Sequence, residues 1–195
     1  MHRVSGASDG DRDLSIVELL RHAGAEPRDE WAEPDHRRPL DDTGREQAAA
    51  LVDSLRPGPP ITDILSSPAV RCRQTVEPLA RALGLEIRCD ERLDEVEAPV
   101  ADEGEEWVSA AWKGGRALRL LDELTSGTVD GRVVCCSHGD VIPATVALLA
   151  GRDGLPLSEV RCRKAGRFTL SFRDGRCVAA TAVPPPPVGR RRPER

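Results

Sequence analysis

The chain has 195 residues, which is enough for one well-buried core and short for two domains of ordinary size. A formal net charge of -5 argues against a general nucleic-acid binder, and an aromatic content of 3% leaves few rings on which bases stack. Since the sequence shows neither a signal-like start nor an apolar run of membrane-spanning length, we expect a cytoplasmic protein with a small partner, without membrane or nucleic-acid binding.

Both ends of the sequence have a composition that buries little apolar surface. Residues 1–13 are polar and rich in Gly, Ser and Asp, while residues 184–195 read PPPPVGRRRPER. Such segments gain too little from burial to offset the entropy of ordering. We therefore predict one domain over residues 14–183, between a disordered N-terminus and a disordered Pro/Arg-rich tail.

Strand and helix signals alternate along this domain. The predicted elements, in chain order, are a strand at 14–20, a helix at 45–56, a strand at 61–66, a helix at 69–83, a strand at 85–89, a helix at 105–124 with Gly114-Gly115 as a candidate break, a strand at 132–137 and a helix at 141–150. Asp174-Gly175 then predicts a hairpin between strands at 167–172 and 176–182. This order predicts an α/β fold, a three-layer αβα sandwich with a mostly parallel central sheet and an antiparallel hairpin near the C-terminus.

Cationic side chains follow three of the predicted strands. Arg21 and His22 come directly after the first strand, and His138 follows the strand at 132–137. Ser66-Ser67-Pro68 follows the second strand, with Arg71 one helical turn further on. Because parallel α/β sheets bind ligands beyond the carboxyl ends of their strands, we expect two arginines and two histidines to meet at one edge of the sheet.

These four side chains suit phosphoryl transfer. Guanidinium groups match the oxygens of a phosphoryl group and stay charged at any working pH. Nearby positive charge disfavours protonation of an imidazole, which leaves a ring nitrogen free as a nucleophile towards phosphorus. Positioning and charge compensation supply much of what phosphoryl transfer requires, but the leaving oxygen still needs a proton donor.

Four carboxylates are candidates for that donor. The segment CDERLDEVEAP, residues 89–99, contains Glu91, Asp94, Glu95 and Glu97. Crowding of carboxylates raises the pKa of one of them and suits it to proton transfer. Composition alone does not choose among the four, and a solvated acidic loop is the structural alternative.

Five motifs occur in an order that resembles the histidine phosphatase superfamily, which contains acid phosphatases, cofactor-dependent phosphoglycerate mutases and SixA-type phosphohistidine phosphatases. The motifs are RHA (21–23), RPLDDTGREQA (38–48), SSPAVRCRQTVEPLA (66–80), RLDE (92–95) and SHGDVI (137–142). The resemblance covers about residues 14–182. Each motif alone is weak, and their shared order makes the signal strong.

The resemblance implies a role for each matching residue. His22 takes the place of the nucleophile that becomes phosphorylated, with Arg21 as its neighbouring phosphate ligand. Arg71 matches the second arginine of the phosphate pocket, and His138 the second histidine, which donates to phosphoryl oxygens. Glu95 stands where many members place the general acid, with Glu97 as the alternative. The implied enzyme is a phosphatase without metal or cofactor that hydrolyses a phosphomonoester, or protein phosphohistidine, through a phosphohistidine at His22.

Departures from the family pattern narrow this expectation. Ala23 replaces the commoner glycine, and Ala25 and Arg28 stand where phosphoglycerate mutases carry serine and asparagine, so we do not expect mutase activity. The closest resemblance is to the SixA branch and to the phosphatase half fused to some Nudix hydrolases. No Nudix-like run of glutamates is seen, so a partner role beside a separate Nudix hydrolase acting on nucleotides is one alternative. A non-catalytic phosphate- or nucleotide-binding module is the other.

Several of these residues also have simpler interpretations. Arg71 is alternatively a partner of Glu77 or of another helix carboxylate. A solvated loop before a helix explains Arg37 and Arg38 as well as a role at the site does. The predicted helix at 105–124 contains three candidates for lining a substrate entrance: Trp107, Trp112 and Lys113. We expect these side chains to pack in the core instead, as part of a long helix.

Overall fold

The computed structural model describes residues 14–96, 105–126 and 131–188. The termini predicted to be disordered lie outside these residues, apart from residues 184–188, which form neither helix nor strand. The elements are β1 (Ser15–Arg21), α1 (Asp42–Leu55), β2 (Ile61–Ser66), α2 (Val70–Leu83), β3 (Ile87–Cys89), α3 (Glu106–Thr125), β4 (Arg132–Ser137), α4 (Val141–Asp153), β5 (Arg167–Arg173) and β6 (Arg176–Val183). Short 3-10 turns lie at Asp35–Arg37 and Glu91–Leu93.

The strands form one six-stranded sheet in the order β3-β2-β4-β1-β5-β6. The first four strands in this order run parallel, and β5 pairs antiparallel with both β1 and β6. In the register of the parallel strands, Arg21 stands opposite Ser137, and Ser66 opposite Cys136. The carboxyl ends of β1, β2 and β4 are therefore level, which confirms the predicted sheet and aligns the residues that follow these strands.

Helices cover both faces of the sheet. Leu19 and Cys135 belong to a buried cluster that contains the apolar side chains of α3 and α4, whereas Leu20 and Cys136 belong to one that contains those of α1 and α2. Adjacent strand residues point to opposite faces, so each inner strand supplies both clusters. Burial of each such leucine contributes about 1.5–3 kcal/mol. The three-layer αβα arrangement is confirmed.

Helix α3 runs without a break through Gly114-Gly115, so the predicted interruption was wrong. A Cβ atom at Gly114 would lie 2.8 Å from the backbone carbonyl carbon of Ala144 in α4. At Gly115 no atom lies within 4 Å of such a Cβ. The first glycine therefore permits close approach of two helices, and the sequence signal that suggested a break reflects packing instead.

Helix α1 is joined directly to the loop that carries His22. It begins at Asp42, earlier than predicted, because the Asp41 side chain accepts a hydrogen bond from the backbone N–H of Gly44 at 2.6 Å. A Cβ atom at Gly44 would lie 1.8 Å from the backbone oxygen of Gly24. Only glycine permits this contact, which fixes the loop after β1 against the first turn of α1.

One buried carboxylate connects three strands of the sheet. Glu18 of β1 is 2% exposed, and its two oxygens lie 3.0 Å from Nη1 of Arg132 in β4 and 3.0 Å from Nε of Arg167 in β5. Thr169 donates a further hydrogen bond to Glu18 at 2.8 Å. Since removing one partner of such a cluster leaves a buried charge uncompensated, the sheet depends on all of its members.

All six cysteines are free thiols, and five of them are buried. The buried thiols pack as small apolar side chains in the core, and Cys89 is exposed. Within the described ranges, the structure contains no helix with the length and apolar character needed to cross a bilayer.

Candidate active site

The two predicted histidines meet at the carboxyl edge of the sheet. His22 follows the last residue of β1, His138 follows the last residue of β4, and the backbone N–H of His22 donates to the oxygen of Ser137 at 3.0 Å. The centroids of the two imidazole rings lie 5.4 Å apart, with the ring planes at 63°. Two side chains more than a hundred positions apart in sequence are thus joined in one site by the pairing of β1 with β4.

The backbone fixes the tautomer of His22. Nδ1 of this ring lies 2.8 Å from the carbonyl oxygen of Ala23. Because a carbonyl only accepts, Nδ1 carries the proton and Nε2 keeps its lone pair. Burial, together with the positive charges of His138, Arg71 and Arg21, lowers the pKa of His22 to about 3, against the opposing effect of the Ala23 hydrogen bond. The ring is therefore neutral at physiological pH, with Nε2 available as a nucleophile.

Arg71, in the first turn of α2, is 1% exposed and meets three polar partners. Its Nη1 donates to the backbone oxygen of Asp35 at 2.8 Å, and its Nη2 lies 3.0 Å from Oδ2 of the same residue. Nη2 also contacts Glu95 and lies 3.3 Å from Nδ1 of His138. The Arg71 guanidinium therefore connects His138 to the carboxylates of Asp35 and Glu95.

Polar groups on the other side of the His138 ring favour its protonated form. Nε2 lies 2.8 Å from Oγ of Ser67 and 3.1 Å from Oδ1 of Asp94, and Ser67 itself donates to Asp94 at 2.8 Å. Burial opposes the protonation of His138, but the Cys72 sulfur and the carboxylates of Asp94 and Glu95 outweigh it and raise the pKa of the ring to about 9. The site therefore pairs a neutral imidazole with a cationic one.

Arg21 lies against the residue that follows His138. A Cβ atom at Gly139 would lie 2.4 Å from the guanidinium carbon of Arg21, so a side chain at this position would displace the guanidinium. Nη1 of Arg21 donates to the backbone oxygen of Cys162 at 2.8 Å. The Nε atoms of Arg21 and Arg71 are both buried without a hydrogen-bond partner in the described part of the chain. An anion would satisfy such donors, since buried N–H groups without a partner are unfavourable.

The acidic segment brings two of its four candidate proton donors to the site. Oε2 of Glu95 lies 3.5 Å from Nδ1 of His138, and the Glu95 side chain is 25% exposed. Asp94 is engaged by His138 and Ser67, which outweigh the effect of burial and lower the pKa of Asp94 to about 2. Glu91 is exposed in a 3-10 turn. Glu97 lies outside the described residues, so the choice between Glu95 and Glu97 stays a prediction.

Sequence reasoning missed Asp35 as a member of this site. Besides its contacts with Arg71, its carboxylate accepts from Nε of Arg28 at 3.1 Å and from Nε of Arg38 at 2.8 Å. These two hydrogen bonds, with Arg28 the stronger influence, hold the pKa of Asp35 well below its usual range even though partial burial opposes them. Asp35 carries no motif of its own, and the only sequence signal is its place three residues before Arg38.

Of the three arginines with a simpler interpretation, Arg71, Arg37 and Arg38, only Arg37 fits it. Glu77 pairs with Arg81 at 2.9 Å, so the suggested pairing of Arg71 with Glu77 was wrong. Arg37 is exposed, as a solvated loop predicts. Arg38 is buried, and its Nη1 donates to the oxygen of Glu26 at 2.8 Å, so the loop interpretation fails for this residue.

The predicted core packing of the α3 aromatic side chains is also wrong in part. Trp107 is 69% exposed. Trp112 lies against Arg116, whose guanidinium carbon is 4.6 Å from the ring centroid. Lys113 forms an ion pair with Asp140 at 2.6 Å. Asp140 follows Gly139, so this pair lies close to the site along the chain.

The side chains at the site do not form a metal-binding arrangement within the described part of the chain. Across those residues, no set of three or more His, Cys, Asp or Glu side chains has an arrangement that holds a metal ion. The polar groups at the site are instead two arginines and two histidines around a buried edge, with carboxylates at its margin. That charge distribution is suited to an oxyanion ligand.

Comparisons with known proteins agree with this geometry. Residues 17–113 match the family model described as the histidine phosphatase superfamily (branch 1). The chain is 36% identical over 174 residues to the 8-oxo-(d)GTP phosphatase of Mycolicibacterium smegmatis, an alignment that covers 89% of this chain and 49% of that protein. The chain therefore spans about half the length of this curated relative.

Solved structures with the same fold include two named phosphatases. A structure named as the phosphohistidine phosphatase SixA of Agrobacterium tumefaciens has a TM-score of 0.57 and 26% identity, over 86% of this chain and 97% of that one. A mycobacterial glucosyl-3-phosphoglycerate phosphatase has a TM-score of 0.64 at 22% identity, over 88% and 99% of the two chains. The second likeness shows the fold alone. The match of residues 17–113 to the family model, together with the convergence of Arg21, His22, Arg71 and His138, shows that the chain contains a domain of the histidine phosphatase superfamily.

Proposed function

We propose that this protein is a phosphatase in which Nε2 of His22 accepts the phosphoryl group. The observation that carries the proposal is the hydrogen bond from Nδ1 of His22 to the oxygen of Ala23, at 2.8 Å. It leaves a neutral nitrogen with a free lone pair beside two guanidinium groups. A non-catalytic phosphate-binding module requires the guanidinium groups but has no need of a histidine held in this tautomer.

In the first step, the Nε2 lone pair of His22 attacks phosphorus, and the bond from phosphorus to the leaving oxygen breaks. The guanidinium groups of Arg21 and Arg71 and the protonated ring of His138 compensate the charge on the phosphoryl oxygens. Glu95 supplies a proton to the leaving oxygen. The products of this step are the dephosphorylated alcohol and a phosphohistidine at His22.

In the second step, water attacks the phosphohistidine and Glu95 takes its proton. The bond between phosphorus and Nε2 breaks, inorganic phosphate leaves, and the ring of His22 returns to its neutral form. Both steps use only protein groups and water, so the proposed enzyme is independent of metal ions and cofactors. Chelation with EDTA is therefore expected to leave turnover unchanged, and loss of turnover that zinc or magnesium restores would contradict this part of the proposal.

The proposed substrates are small phosphomonoesters or protein phosphohistidine. The likeness to a SixA structure supports the second, and the half-length likeness to an 8-oxo-(d)GTP phosphatase supports a nucleotide. The alternative that the sequence resemblance implies is a role beside a separate Nudix hydrolase that acts on nucleotides. We propose no nucleic-acid partner, in line with the acidic net charge. We also propose no membrane partner and a cytoplasmic location.

Replacement of His22 by alanine tests the proposal. Turnover of p-nitrophenyl phosphate is expected to disappear, together with the acid-labile phosphate label on the protein. His36→Ala is the matched control, because His36 is exposed in the loop before α1 and has no proposed role. It is expected to keep both turnover and label, and a His22→Ala variant that still hydrolyses the substrate would end the proposal.

A further inference from the structure

The two nitrogens of the buried His138 ring face different surroundings. Nε2 lies 2.8 Å from Oγ of Ser67 and 3.1 Å from Oδ1 of Asp94. Nδ1 lies 3.3 Å from Nη2 of Arg71 and 3.5 Å from Oε2 of Glu95, the residues to which we assign a phosphoryl oxygen and the leaving oxygen. The nitrogen that faces the substrate is therefore Nδ1, whereas Nε2 is engaged by protein groups.

The Ser67 hydroxyl determines the proton on Nε2 of His138. It has one hydrogen, which it donates to Oδ1 of Asp94 at 2.8 Å, so towards Nε2 its oxygen is an acceptor. Since an ionised carboxylate also only accepts, Nε2 carries a proton. A neutral ring would then leave a lone pair on Nδ1, and this lone pair would repel a phosphoryl oxygen. The site therefore requires the cationic ring, with a proton on each nitrogen.

Both partners of Nε2 are fixed by contacts that do not involve His138. Oδ1 of Asp94 accepts from the backbone N–H of Glu95 at 3.0 Å, so the same oxygen also holds the backbone of the proposed proton donor. Ser67 is fully buried, and its backbone N–H donates to the oxygen of Cys136 in β4 at 2.9 Å. The two groups that bind Nε2 are therefore in place before a substrate arrives.

Other titratable and charged groups also face the His138 ring. From the described elements around the ring, these side chains are His22 after β1, Arg71 and Cys72 of α2, and Asp94 and Glu95 of the acidic segment. The Asp94 oxygen lies 3.1 Å from Nε2, whereas the Glu95 oxygen lies 3.5 Å from Nδ1. Asp94 is therefore the nearer of the two carboxylates, and it lies on the side of the ring that faces away from Arg71.

We propose that Asp94 is a positioning residue, which together with Ser67 holds the protonated His138 ring so that the N–H of Nδ1 points to the phosphoryl oxygens of the substrate. The inference rests on the proposed phosphatase function, in which Asp94 has no assigned role. Carboxylates orient histidines and stabilise their protonated form in this way in other enzymes. Asp94 acts through His138 and through the Glu95 backbone, and thereby connects the charge-compensating group to the group that transfers the proton.

Asp94→Asn tests this role through the pH dependence of kcat/KM for p-nitrophenyl phosphate. The amide keeps the size of the side chain but removes the charge that favours protonated His138. The alkaline limit is expected to move down by about 1–3 pH units, and the plateau is expected to fall by about 10–100-fold. Asp63→Asn, at a partly exposed ion pair with Arg88, is the matched control and is expected to keep both values. An alkaline limit that Asp94→Asn leaves unchanged would overturn the inference.

Nuclear magnetic resonance of the histidine rings separates the inference from the catalytic proposal. In protein labelled with nitrogen-15 in histidine, the His138 signals are assigned by their loss in His138→Gln. Both ring nitrogens of wild-type His138 are expected to carry protons at neutral pH, and Asp94→Asn is expected to lower the midpoint of this titration by about 1–3 pH units. An unprotonated Nε2 in the wild-type protein would overturn the inference without any variant at Asp94.

Cys72→Ala separates the effect of the Asp94 carboxylate from that of the nearby sulfur. The Cys72 sulfur lies 3.5 Å from Nε2 of His138, so it is the other group on this side of the ring that is able to carry a negative charge. The shift caused by Asp94→Asn is expected to persist in the Cys72→Ala background, and its absence there would overturn the inference. Failure of the wild-type protein to hydrolyse p-nitrophenyl phosphate would instead count against the catalytic proposal alone, because the ring titration does not depend on turnover.

Discussion

Arg71 is held by Asp35 through two different groups. Nη2 of Arg71 lies 3.0 Å from the Asp35 carboxylate, and Nη1 donates to the Asp35 backbone oxygen at 2.8 Å. A buried arginine that binds phosphate must keep its orientation without substrate, because reorienting it on binding costs entropy. The loop before α1, in which Asp35 lies 36 residues from Arg71 in sequence, therefore positions the guanidinium that we assign to the substrate.

Asp35→Asn is expected to weaken the contact between the side chain of residue 35 and Arg71, while keeping the hydrogen bond from Arg71 to the backbone oxygen. The carboxylate also binds Arg38, so the loss of charge is expected to lower the free energy of unfolding by about 1 kcal/mol, a value discounted for the partial exposure of Asp35. We expect KM for a phosphorylated substrate to rise more than kcat falls. Denaturant unfolding and steady-state kinetics measure the two effects. Asp53→Asn, at an exposed ion pair on α1, is the control, and equal effects in both variants would contradict a positioning role for Asp35.

The two histidines predict a wide pH range of activity. Nucleophilic attack requires neutral His22, which is present above its pKa of about 3 and is lost as the pH falls through that value. Phosphate binding uses protonated His138, which is present below its pKa of about 9 and is lost as the pH rises through it. The contributions of His22 and His138 to a plot of kcat/KM against pH are therefore expected near 3 and near 9, separate from the ionisation of the substrate phosphate near about 6.

His138→Gln separates the alkaline limit from the substrate ionisation. Glutamine still reaches polar neighbours but has no ionisable group, so the fall near pH 9 is expected to disappear while the substrate ionisation remains. The rate on the plateau is expected to drop by about 100-fold, as for the loss of one oxyanion donor. A circular dichroism melt checks that the buried substitution has left the fold intact. An alkaline limit that persists in this folded variant would mean that another group titrates there.

Much of the fold follows from short-range patterns in the sequence. The apolar run at residues 132–137 predicts β4 correctly because a central parallel strand is buried on both faces. Asp174-Gly175 predicts the hairpin because both residues adopt positive φ, which this turn requires. The level ends of the parallel strands then place Arg21, His22 and His138 together.

The parts that sequence reasoning missed depend on contacts between distant segments. Asp35 stands in a loop without periodicity, and its role arises only because the loop folds back onto Arg71. Trp107 is an apolar residue in a helical pattern, but its position at the start of α3 leaves it exposed. Local sequence patterns indicate the propensity and the buried face of a single element. The role of Asp35 and the exposure of Trp107 depend instead on which other segment of the chain packs against them.

Glu95 is expected to act as the proton donor and acceptor. Glu95→Gln should slow both steps for substrates with poor leaving groups, while phosphorylation of His22 by substrates with good leaving groups is retained. Rates for a series of aryl and alkyl phosphates, together with the amount of phosphorylated protein, measure this. Glu97→Gln is the comparison variant, and if it shows this behaviour while Glu95→Gln does not, the assignment moves to Glu97.

Gly114 and Gly115 offer a matched pair for testing how α3 packs on α4. Gly114→Ala places a methyl group 2.8 Å from the backbone of Ala144, so the helices must separate, and we expect the free energy of unfolding to fall by about 1–3 kcal/mol. Gly115→Ala meets no atom within 4 Å, and alanine favours a helix over glycine, so we expect a gain of about 0.5–1 kcal/mol. Denaturant unfolding at one temperature measures both variants. Because α4 begins at Val141, three residues after His138, the separation caused by Gly114→Ala is also expected to lower kcat, whereas Gly115→Ala leaves it unchanged. Equal stabilities for the two variants would show that α3 and α4 do not depend on the close approach at Gly114.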